Sequence, residues 1–110
     1  MEYKKEYKSM NEIKIYIGSD NATNKISKEY QTKIENFFNQ FIETKDINGY
    51  TLTKGIGHYI NTKEDSIIIT ILTESDLIFK PLSDTLYRLK RILNQEAILI
   101  TETVIIGVLI

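Results

Sequence analysis

Four segments of the chain have the residue pattern of β-strands. In residues 12–18, isoleucine alternates with other residues, which is the period of a strand buried on one face. Residues 49–60 and 66–73 are rich in residues that favour strands, and the polar stretch NTKED between them predicts an antiparallel hairpin. Residues 97–110 form a fourth, long strand, in which Gly107 predicts a break before a short tail.

Two further segments repeat apolar residues at helical spacing. The first begins after Ser27, a predicted N-cap, and ends near Thr44. Its apolar stripe consists of Tyr30, Ile34, Phe37, Phe38, Phe41 and Ile42. The second contains Pro81 in its first turn, where a missing N–H costs no hydrogen bond, and it ends at the triplet NQE. Its apolar stripe consists of Leu82, Leu86, Leu89, Ile92 and Leu93.

The order of these elements is β-α-β-β-α-β, which predicts a ferredoxin-like α+β fold. In this fold two helices cover one face of a four-stranded antiparallel sheet. Residues 12–110 then form a single domain that ends in an apolar strand or tail, as expected for a chain of 110 residues. Residues 1–11 are charged and lack a hydrophobic period, so we predict that they form a flexible leader.

The second face of the predicted sheet is too apolar to remain in water. In the third strand, Ile68 and Leu72 lie on the side opposite Ile67, Ile69 and Ile71, so both sides are apolar. The fourth strand is also apolar on both sides, with Ile98, Ile100, Val104 and Ile106 opposite Leu99, Thr101, Thr103 and Ile105. Monomers seldom expose a contiguous apolar patch of more than a few hundred Å2, so we predict self-association through this face or through the C-terminal strand. We expect a homo-oligomer, and we favour a trimer.

Composition and charge argue against several classes of function. The formal net charge is -1 and the pI is near 5.8, so the chain lacks the basic field that attracts nucleic acids. Cysteine is absent and His58 is the single histidine, which argues against disulfides and a metal site. Residues 104–110, the most apolar run, are far shorter than the roughly 20 residues of a membrane-spanning helix. Because the N-terminal residues also lack the apolar core of a secretory signal, we expect a cytoplasmic protein without a nucleic acid, membrane or cofactor partner.

Gly55 and Gly57 flank Ile56 inside the second predicted strand. Glycine weakens a strand because it adds chain entropy and offers no side chain to pack. The usual reasons for accepting it are a β-bulge that bends the strand, or the close approach of a ligand or another backbone. The sequence favours neither explanation over the other.

The stretch GYTLTKGIGHY, residues 49–59, resembles a strand motif of a known superfamily. Its pattern is G-x-T-x-x-x-G-x-G-x-[WY], and an apolar strand, a helix and a last strand follow it. This arrangement resembles the PII and CutA superfamily of trimeric ferredoxin-like proteins, and also a small uncharacterised family of bacteria and phages, over about residues 12–103. The resemblance implies a nucleotide cleft between subunits. The residues that match the strand lining this cleft in PII are Gly49, Thr51, Gly55 and Gly57.

Two features of PII are missing from the sequence. The T-loop with which PII grips partner proteins is replaced by the short stretch NTKED. The basic and glycine residues that hold phosphates near the last strand of PII are absent from EAILITETV, residues 96–104. We therefore expect a cleft at the same place, but not ATP binding in the manner of PII.

Nine residues are candidates for a ligand site. Thr51, Thr53 and Tyr59 share one side of their strand, and with Tyr16 they either converge on a nucleotide-like ligand or serve as good strand formers at an interface. The loop GSDNATN precedes a helix N-terminus, a position that suits anions. His58 lies on the other side of its strand, where a half-buried structural role is favoured over a functional one. The predicted ligand-binding residues are Tyr16, Ser19, Asn21, Thr51, Thr53, Gly55, Gly57, His58 and Tyr59.

Catalytic residues and metal ligands are not predicted, because the carboxylates lack the spacing that would define a reaction. The favoured hypothesis is a non-enzymatic homo-oligomer that binds a nucleotide-derived signal at clefts between subunits, to transmit it or, as a phage protein, to sequester it from host defence. A second hypothesis is a small enzyme that acts on a nucleotide-like substrate, with His58 as its acid–base residue. A third is a module that captures a protein partner by strand addition of residues 104–110.

Overall fold

The computed structural model describes residues 6–45, 47–59 and 61–110, with the side chain of Tyr59 outside this description. Four strands and two helices follow one another in the order β-α-β-β-α-β. Their bounds are Glu6–Gly18 for β1, Lys28–Lys45 for α1, Thr51–Tyr59 for β2, Thr62–Thr73 for β3, Phe79–Ile92 for α2 and Leu99–Leu109 for β4. Neither of these helices is long and apolar enough to cross a membrane.

The four strands form one antiparallel sheet in the order β2-β3-β1-β4. At the centre of the sheet, Ile15 of β1 pairs with Ile69 of β3 on one side and with Ile100 of β4 on the other. Both helices pack on the face that carries these isoleucines. The predicted ferredoxin-like α+β fold is therefore confirmed.

The alternation of isoleucine in β1 and β3 explains the position of the core. The odd-numbered isoleucines of the two strands are opposite one another and are at most 1% exposed. They pack under the fully buried side chains of Phe38 in α1 and Leu82 and Leu89 in α2. Each such side chain stabilises the fold by about 1.5–3 kcal/mol relative to an exposed position, so this one face supplies most of the driving force for folding.

Local hydrogen bonds fix the ends of the helices. The hydroxyl oxygen of Ser27 accepts a hydrogen bond from the backbone N–H of Tyr30 at 3.1 Å, which is the geometry of the predicted N-cap. Helix α2 ends at Ile92, and shortly after it Asn94 adopts a left-handed conformation with a φ of 52°. Ile92, predicted to lie in the apolar stripe of α2, is instead 48% exposed, because Leu89 and Leu93 occupy the core side of the last turn.

Strand β1 is longer than the sequence predicts, and β4 is more regular. Their pairing extends from Tyr16 with Leu99 to Glu6 with Leu109. The predicted leader is therefore wrong from residue 6 onward, because β4 provides hydrogen-bond partners that a local hydrophobic pattern cannot reveal. The predicted break at Gly107 is also wrong, since this residue pairs with Lys8 and the strand continues. Residues 1–5 of the predicted leader lie outside the described residues.

The hairpin between β2 and β3 is shorter than predicted. Pairing continues to Tyr59 and Thr62, so residues 62–65 of the stretch NTKED belong to β3. This short connection is possible because two residues are enough to join a pair of antiparallel strands.

The side of the sheet that the helices leave uncovered is here called the open face. Its apolar side chains include Leu72 and Leu99, which are 48% and 60% exposed. The pairing register places the following residues on it: Glu12, Lys14, Tyr16 and Gly18 of β1, Thr51, Thr53, Gly55 and Gly57 of β2, Glu64, Ser66, Ile68, Thr70 and Leu72 of β3, and Leu99, Thr101, Thr103 and Ile105 of β4.

Candidate functional site

Gly18, Gly55 and Gly57 lie close together on the open face and form a surface without side chains, the glycine strip. Gly55 pairs with Ser66 of β3, which pairs in turn with Gly18 of β1, so this row across three strands has one small side chain. Gly57 lies in the adjacent row, opposite Glu64. The strip is therefore a shallow floor at the edge of the sheet where β1 ends.

The fold itself does not require glycine at the two positions in β2. None of the described glycines has a positive φ, the conformation that side chains disfavour. A Cβ on Gly55 would lie 3.4 Å from Ser66 Oγ, and one on Gly57 would lie 3.7 Å from the carbonyl oxygen of Glu64, which are ordinary contacts. Pairing along β2 is also continuous, so the β-bulge that the sequence left open is not present. Of the two explanations that the sequence left open, the close approach of a ligand or another backbone is the one that this geometry allows.

A row of larger side chains borders the glycine strip on the open face. Thr53 of β2, Ile68 of β3, Tyr16 of β1 and Leu99 of β4 are neighbours across the sheet. Tyr16 is 37% exposed, so its ring can offer a flat surface to another molecule. The next row is polar and contains Thr51, Thr70, Lys14 and Thr101.

Glu64 of β3 extends its carboxylate along the strip towards Gly18 at the end of β1. A Cβ on Gly57 would lie 3.9 Å from Glu64 Cγ, and a Cβ on Gly18 would lie 3.9 Å from Glu64 Oε1. The other carboxylate oxygen, Oε2, accepts a hydrogen bond of 3.3 Å from the hydroxyl of Ser19, which is 2% exposed. The buried hydroxyl of Ser19 therefore helps to hold the carboxylate over the strip.

Gln95 and Tyr30 close the end of the strip on the side of β4. The pairing of β1 with β4 ends at Tyr16, and beyond it the side chain of Gln95 provides a hydrogen bond to the backbone that follows β1. Gln95 Nε2 donates hydrogen bonds to the carbonyl oxygen of Ser19 at 2.7 Å and to Tyr30 Oη at 3.0 Å. Tyr30 Oη in turn donates to the carbonyl oxygen of Gly18 at 2.6 Å.

The environment of Tyr30 keeps its hydroxyl protonated. Burial, followed by the charge of Asp20, raises the pKa of Tyr30 to about 12, and the carboxylate of Glu64 adds a smaller contribution in the same direction. At neutral pH this group is therefore a hydrogen-bond donor to Gly18 and not an acid. Its role at the site is to fix the backbone on which the glycine strip is built.

The structure brings five of the predicted site residues together on the open face and places Ser19 next to them. These five are Tyr16, Thr51, Thr53, Gly55 and Gly57. The side chain of Tyr59, the sixth residue expected on this face, lies outside the described part of the chain.

Two predicted site residues lie elsewhere. His58 pairs with Lys63, faces the helix side of the sheet and is exposed, so the predicted half-buried environment is not observed. Asn21 is exposed, and its side-chain amide donates a hydrogen bond to the carbonyl oxygen of Asn94. In the same loop the backbone N–H of Ala22 donates to Asp20 Oδ1 at 2.9 Å, so the chain's own carboxylate occupies part of the predicted anion site.

Sequence reasoning did not assign Gly18, Glu64 or Gln95 to the site. The alternation of side chains along a strand places Gly18 on the same side of β1 as Tyr16, and Glu64 on the same side of β3 as Ile68. Once the register is known, both residues therefore belong to the open face. No local signal marks Gln95, which reaches Ser19 across 76 positions of sequence.

Two depressions lie on the helix side of the described structure. One, of about 270 Å3, lies between α2 and β4 and includes Leu86, Lys90 and Ile98. The other, of about 300 Å3, follows the outer edge of β2 and includes Lys54, Ile56 and Gly55, which is the one residue of the glycine strip that lines it. The glycine strip is by contrast an open surface in one subunit, so enclosing a ligand there requires a second molecule.

The sequence matches no protein-family model and no curated protein. Solved structures with the same fold include CPII, a nitrogen regulatory PII-like protein from Thiomonas intermedia K12, bound to ADP, AMP and bicarbonate. It aligns with a TM-score of 0.56 and 14% identity, over 93% of this chain and 96% of that protein. A phage SAM lyase in complex with S-methyl-5'-thioadenosine aligns with a TM-score of 0.57 and 14% identity, over 93% of this chain and 90% of the lyase.

A DUF3240 family protein from Shewanella baltica OS155 is also similar, with a TM-score of 0.51 and 10% identity, over 84% of this chain and 87% of that protein. At such identities the likeness establishes the fold alone. At that level, it confirms the predicted resemblance of this chain to PII-like ferredoxin-like proteins.

Proposed function

We propose that this chain is a homo-oligomeric binding protein for a small molecule that contains a nucleoside, with the glycine strip as the floor of its site. The observation that carries the proposal is that β2 has glycine at positions 55 and 57, although the subunit has room for a side chain at both. A bare backbone floor beside the exposed ring of Tyr16 suits a flat heterocycle, because the ring can stack at one edge and lie close to the strands.

The ligands of two similar structures support this class of molecule. The PII-like protein is bound to ADP and AMP, and the phage SAM lyase is bound to S-methyl-5'-thioadenosine. These three ligands share an adenosine moiety and differ in their charge at the 5' end. An adenine nucleoside or nucleotide is therefore the first class of ligand to test.

The exposed surface supports self-association. The chain has an accessible surface of 7990 Å2, whereas a compact monomer of 12.8 kDa exposes roughly 6300 Å2. Because the open face contributes exposed Leu72 and Leu99 to this surface, we place the interface there and propose a trimer.

In such an assembly the neighbouring subunit covers the glycine strip and turns it into a cleft. Slow release of the ligand would make the protein a sequestering agent, as in a phage protein that withholds a signal from its host. Fast release would make it a sensor. The dissociation rate of the bound ligand distinguishes these two forms of the proposal.

Calorimetric titration with adenosine, AMP, ADP, S-methyl-5'-thioadenosine and a panel of cyclic nucleotides tests the proposal. We expect at least one of them to bind with one site per subunit. Native mass spectrometry of the protein purified from its host reports the number of subunits and any retained ligand together. If all compounds give no heat and the protein retains none of them, the proposed function is rejected.

A second candidate is an enzyme that acts on a nucleoside-containing substrate, and two observations favour it. One is the similarity to the phage SAM lyase, and the other is the carboxylate of Glu64 over the glycine strip. His58, the acid–base residue expected from the sequence, faces the other side of the sheet, so Glu64 takes this role in the enzyme proposal. Incubation with S-adenosylmethionine, followed by mass spectrometry, tests this candidate. Turnover that is lost in Glu64→Gln supports an enzyme. Recovery of unchanged substrate supports a binding protein.

The third hypothesis, capture of a partner by β4, is restricted by the pairing of this strand. Its residues from Val104 to Leu109 pair with β1 along one edge. A partner strand could therefore add only along the outer edge of β4, which ends the sheet formed by the described residues.

A further inference from the structure

We propose that the space above Gly18 is a subsite for a pair of hydrogen-bond donors, and that it holds the vicinal hydroxyl groups of a ribose. This inference rests on the proposed function and specifies which part of the ligand lies at this end of the glycine strip. Two side-chain oxygens border the space. A Cβ on Gly18 would lie 3.1 Å from Gln95 Oε1 and 3.9 Å from Glu64 Oε1.

The hydrogen bonds of Gln95 determine which of its atoms faces the subsite. The carbonyl oxygen of Ser19 can only accept a hydrogen bond, so the amide nitrogen of Gln95 must be the atom 2.7 Å from it. The same nitrogen donates to Tyr30 Oη, whose own proton is given to the carbonyl of Gly18. Gln95 Oε1 is therefore the acceptor that remains, and it lies over Gly18.

Glu64 supplies the second acceptor. Its Oε2 accepts the hydrogen bond from the buried hydroxyl of Ser19, which leaves Oε1 directed towards Gly18. An ionised carboxylate accepts hydrogen bonds that are roughly twice as strong as those between neutral groups, so a donor placed here is held firmly. Since Glu64 arises from β3 and Gln95 from the segment before β4, the two acceptors approach the space from opposite sides.

The chemistry of the two acceptors selects the ligand group. A phosphate offers acceptors and negative charge, and both are unfavourable beside a carboxylate oxygen and an amide oxygen. Two adjacent hydroxyl groups can each donate one hydrogen bond, one to Gln95 Oε1 and one to Glu64 Oε1. The ribose of a nucleoside meets this requirement, and its 5' substituent then points away from Gly18.

Calorimetric titration of the full chain with adenosine and 2',3'-dideoxyadenosine tests the subsite, because the second compound lacks only the two hydroxyl groups. We expect adenosine to bind about 10–100 times more tightly, since the loss of ligand donors leaves a charged acceptor without its partner. In Glu64→Ala we expect this ratio to fall about tenfold. Glu64→Gln keeps an acceptor oxygen without the charge, and we expect an intermediate ratio.

Asp65→Ala is the matched control, because Asp65 is the next carboxylate along β3 and lies on the opposite face of the sheet, beside Ile56. It should leave the ratio of the two affinities unchanged. Circular dichroism shows whether each variant folds. If a variant does not fold, the affinity ratio of the two compounds for the unaltered protein still tests the subsite. Equal binding of both compounds overturns the subsite and leaves the proposed function intact. If neither compound binds and the rest of the nucleotide panel also gives no heat, the proposed function and the subsite are both rejected.

Discussion

The hydroxyl group of Tyr30 donates a hydrogen bond to the carbonyl oxygen of Gly18 at 2.6 Å, and this contact joins α1 to the last residue of β1. The same hydroxyl accepts a hydrogen bond from Gln95, so three parts of the chain meet at one oxygen atom. A proton on Tyr30 is required for the first of these bonds. The end of the glycine strip is therefore stabilised by a group that must stay neutral.

Stability should fall at alkaline pH because of this requirement. The pKa of Tyr30 is raised from 10.0 to about 12, first by burial, so the folded protein holds the proton more tightly than the unfolded chain does. Below pH 10 the proton is bound in both states and the contribution is complete. Between pH 10 and 12 the unfolded chain ionises first, so Tyr30 lowers the free energy of unfolding by up to about 1.4 kcal/mol per pH unit.

Tyr30→Phe isolates this effect from the titration of other groups. Urea unfolding at pH 7 should show a loss of about 1–2 kcal/mol, because the hydrogen bonds to Gly18 and Gln95 are removed. Between pH 10 and 12 the stability of the variant should decrease less steeply than that of the unaltered protein. Parallel curves for the two proteins would contradict the assignment.

Filling the glycine strip should separate ligand binding from folding. Valine favours strands, and a Cβ at Gly57 meets only ordinary contacts, so Gly57→Val should keep the fold and raise its stability by up to about 1 kcal/mol. The affinity for adenosine should fall more than about tenfold, because the side chain occupies the floor of the site. Lys54→Val is the control, because it introduces the same side chain into β2 at an exposed position on the opposite face of the sheet. Unchanged affinity in Gly57→Val would remove the strip from the site.

A charge on the open face should prevent assembly. Leu99 is 60% exposed on this face, and Leu99→Glu would bury an unpaired carboxylate in the proposed interface. Light scattering should give three times the subunit mass of 12.8 kDa for the unaltered protein and a smaller species for the variant. Leu77→Glu, at a residue that is 80% exposed before α2, carries the same change outside the open face and should assemble normally. Assembly of both variants would place the interface elsewhere.

The side chain of Asn11 should stabilise the junction between β1 and the segment before α2. Asn11 is 6% exposed, and its amide donates hydrogen bonds to Asp76 Oδ1 at 2.7 Å and to the carbonyl oxygen of Ser75 at 3.3 Å. Asn11→Ala should therefore lower the free energy of unfolding by about 1–3 kcal/mol, as measured in urea. Asn36→Ala, at an exposed position of α1, should have no destabilising effect because alanine favours helices. A similar loss in both variants would show that the Asn11 contacts contribute little.

The sequence predicts the fold well because its strongest signals are local. Alternating isoleucines in β1 and the stripe around Phe38 in α1 each depend on residues within one element, and their periods alone assign both the element and its buried side. The first half of β1 lacks such a signal, since Glu6 to Asn11 are held by β4 from the other end of the chain.

The site is predicted less completely because it depends on register and on distant contacts. The side of β2 that carries Thr53 could be recognised from the sequence, and the structure places Tyr16 in the same row. The position of Glu64 over Gly18 depends on which residues of β1, β2 and β3 are paired, and a shift by one residue would reverse its face. The contact of Gln95 with Ser19 depends on the path of the chain after α2, for which the sequence has no periodic signal.

The paired ends of β1 and β4, from Glu6 to Met10 and from Ile105 to Leu109, extend past the end of β3 as a ribbon of two strands. Two strands alone are marginally stable in water, so in an isolated subunit this ribbon should be the first region to open. Its amide hydrogens should then exchange with solvent quickly in dilute protein and slowly at high concentration. Joining of subunits and completion of the fold would thus be one event, governed by how much of the protein the cell makes.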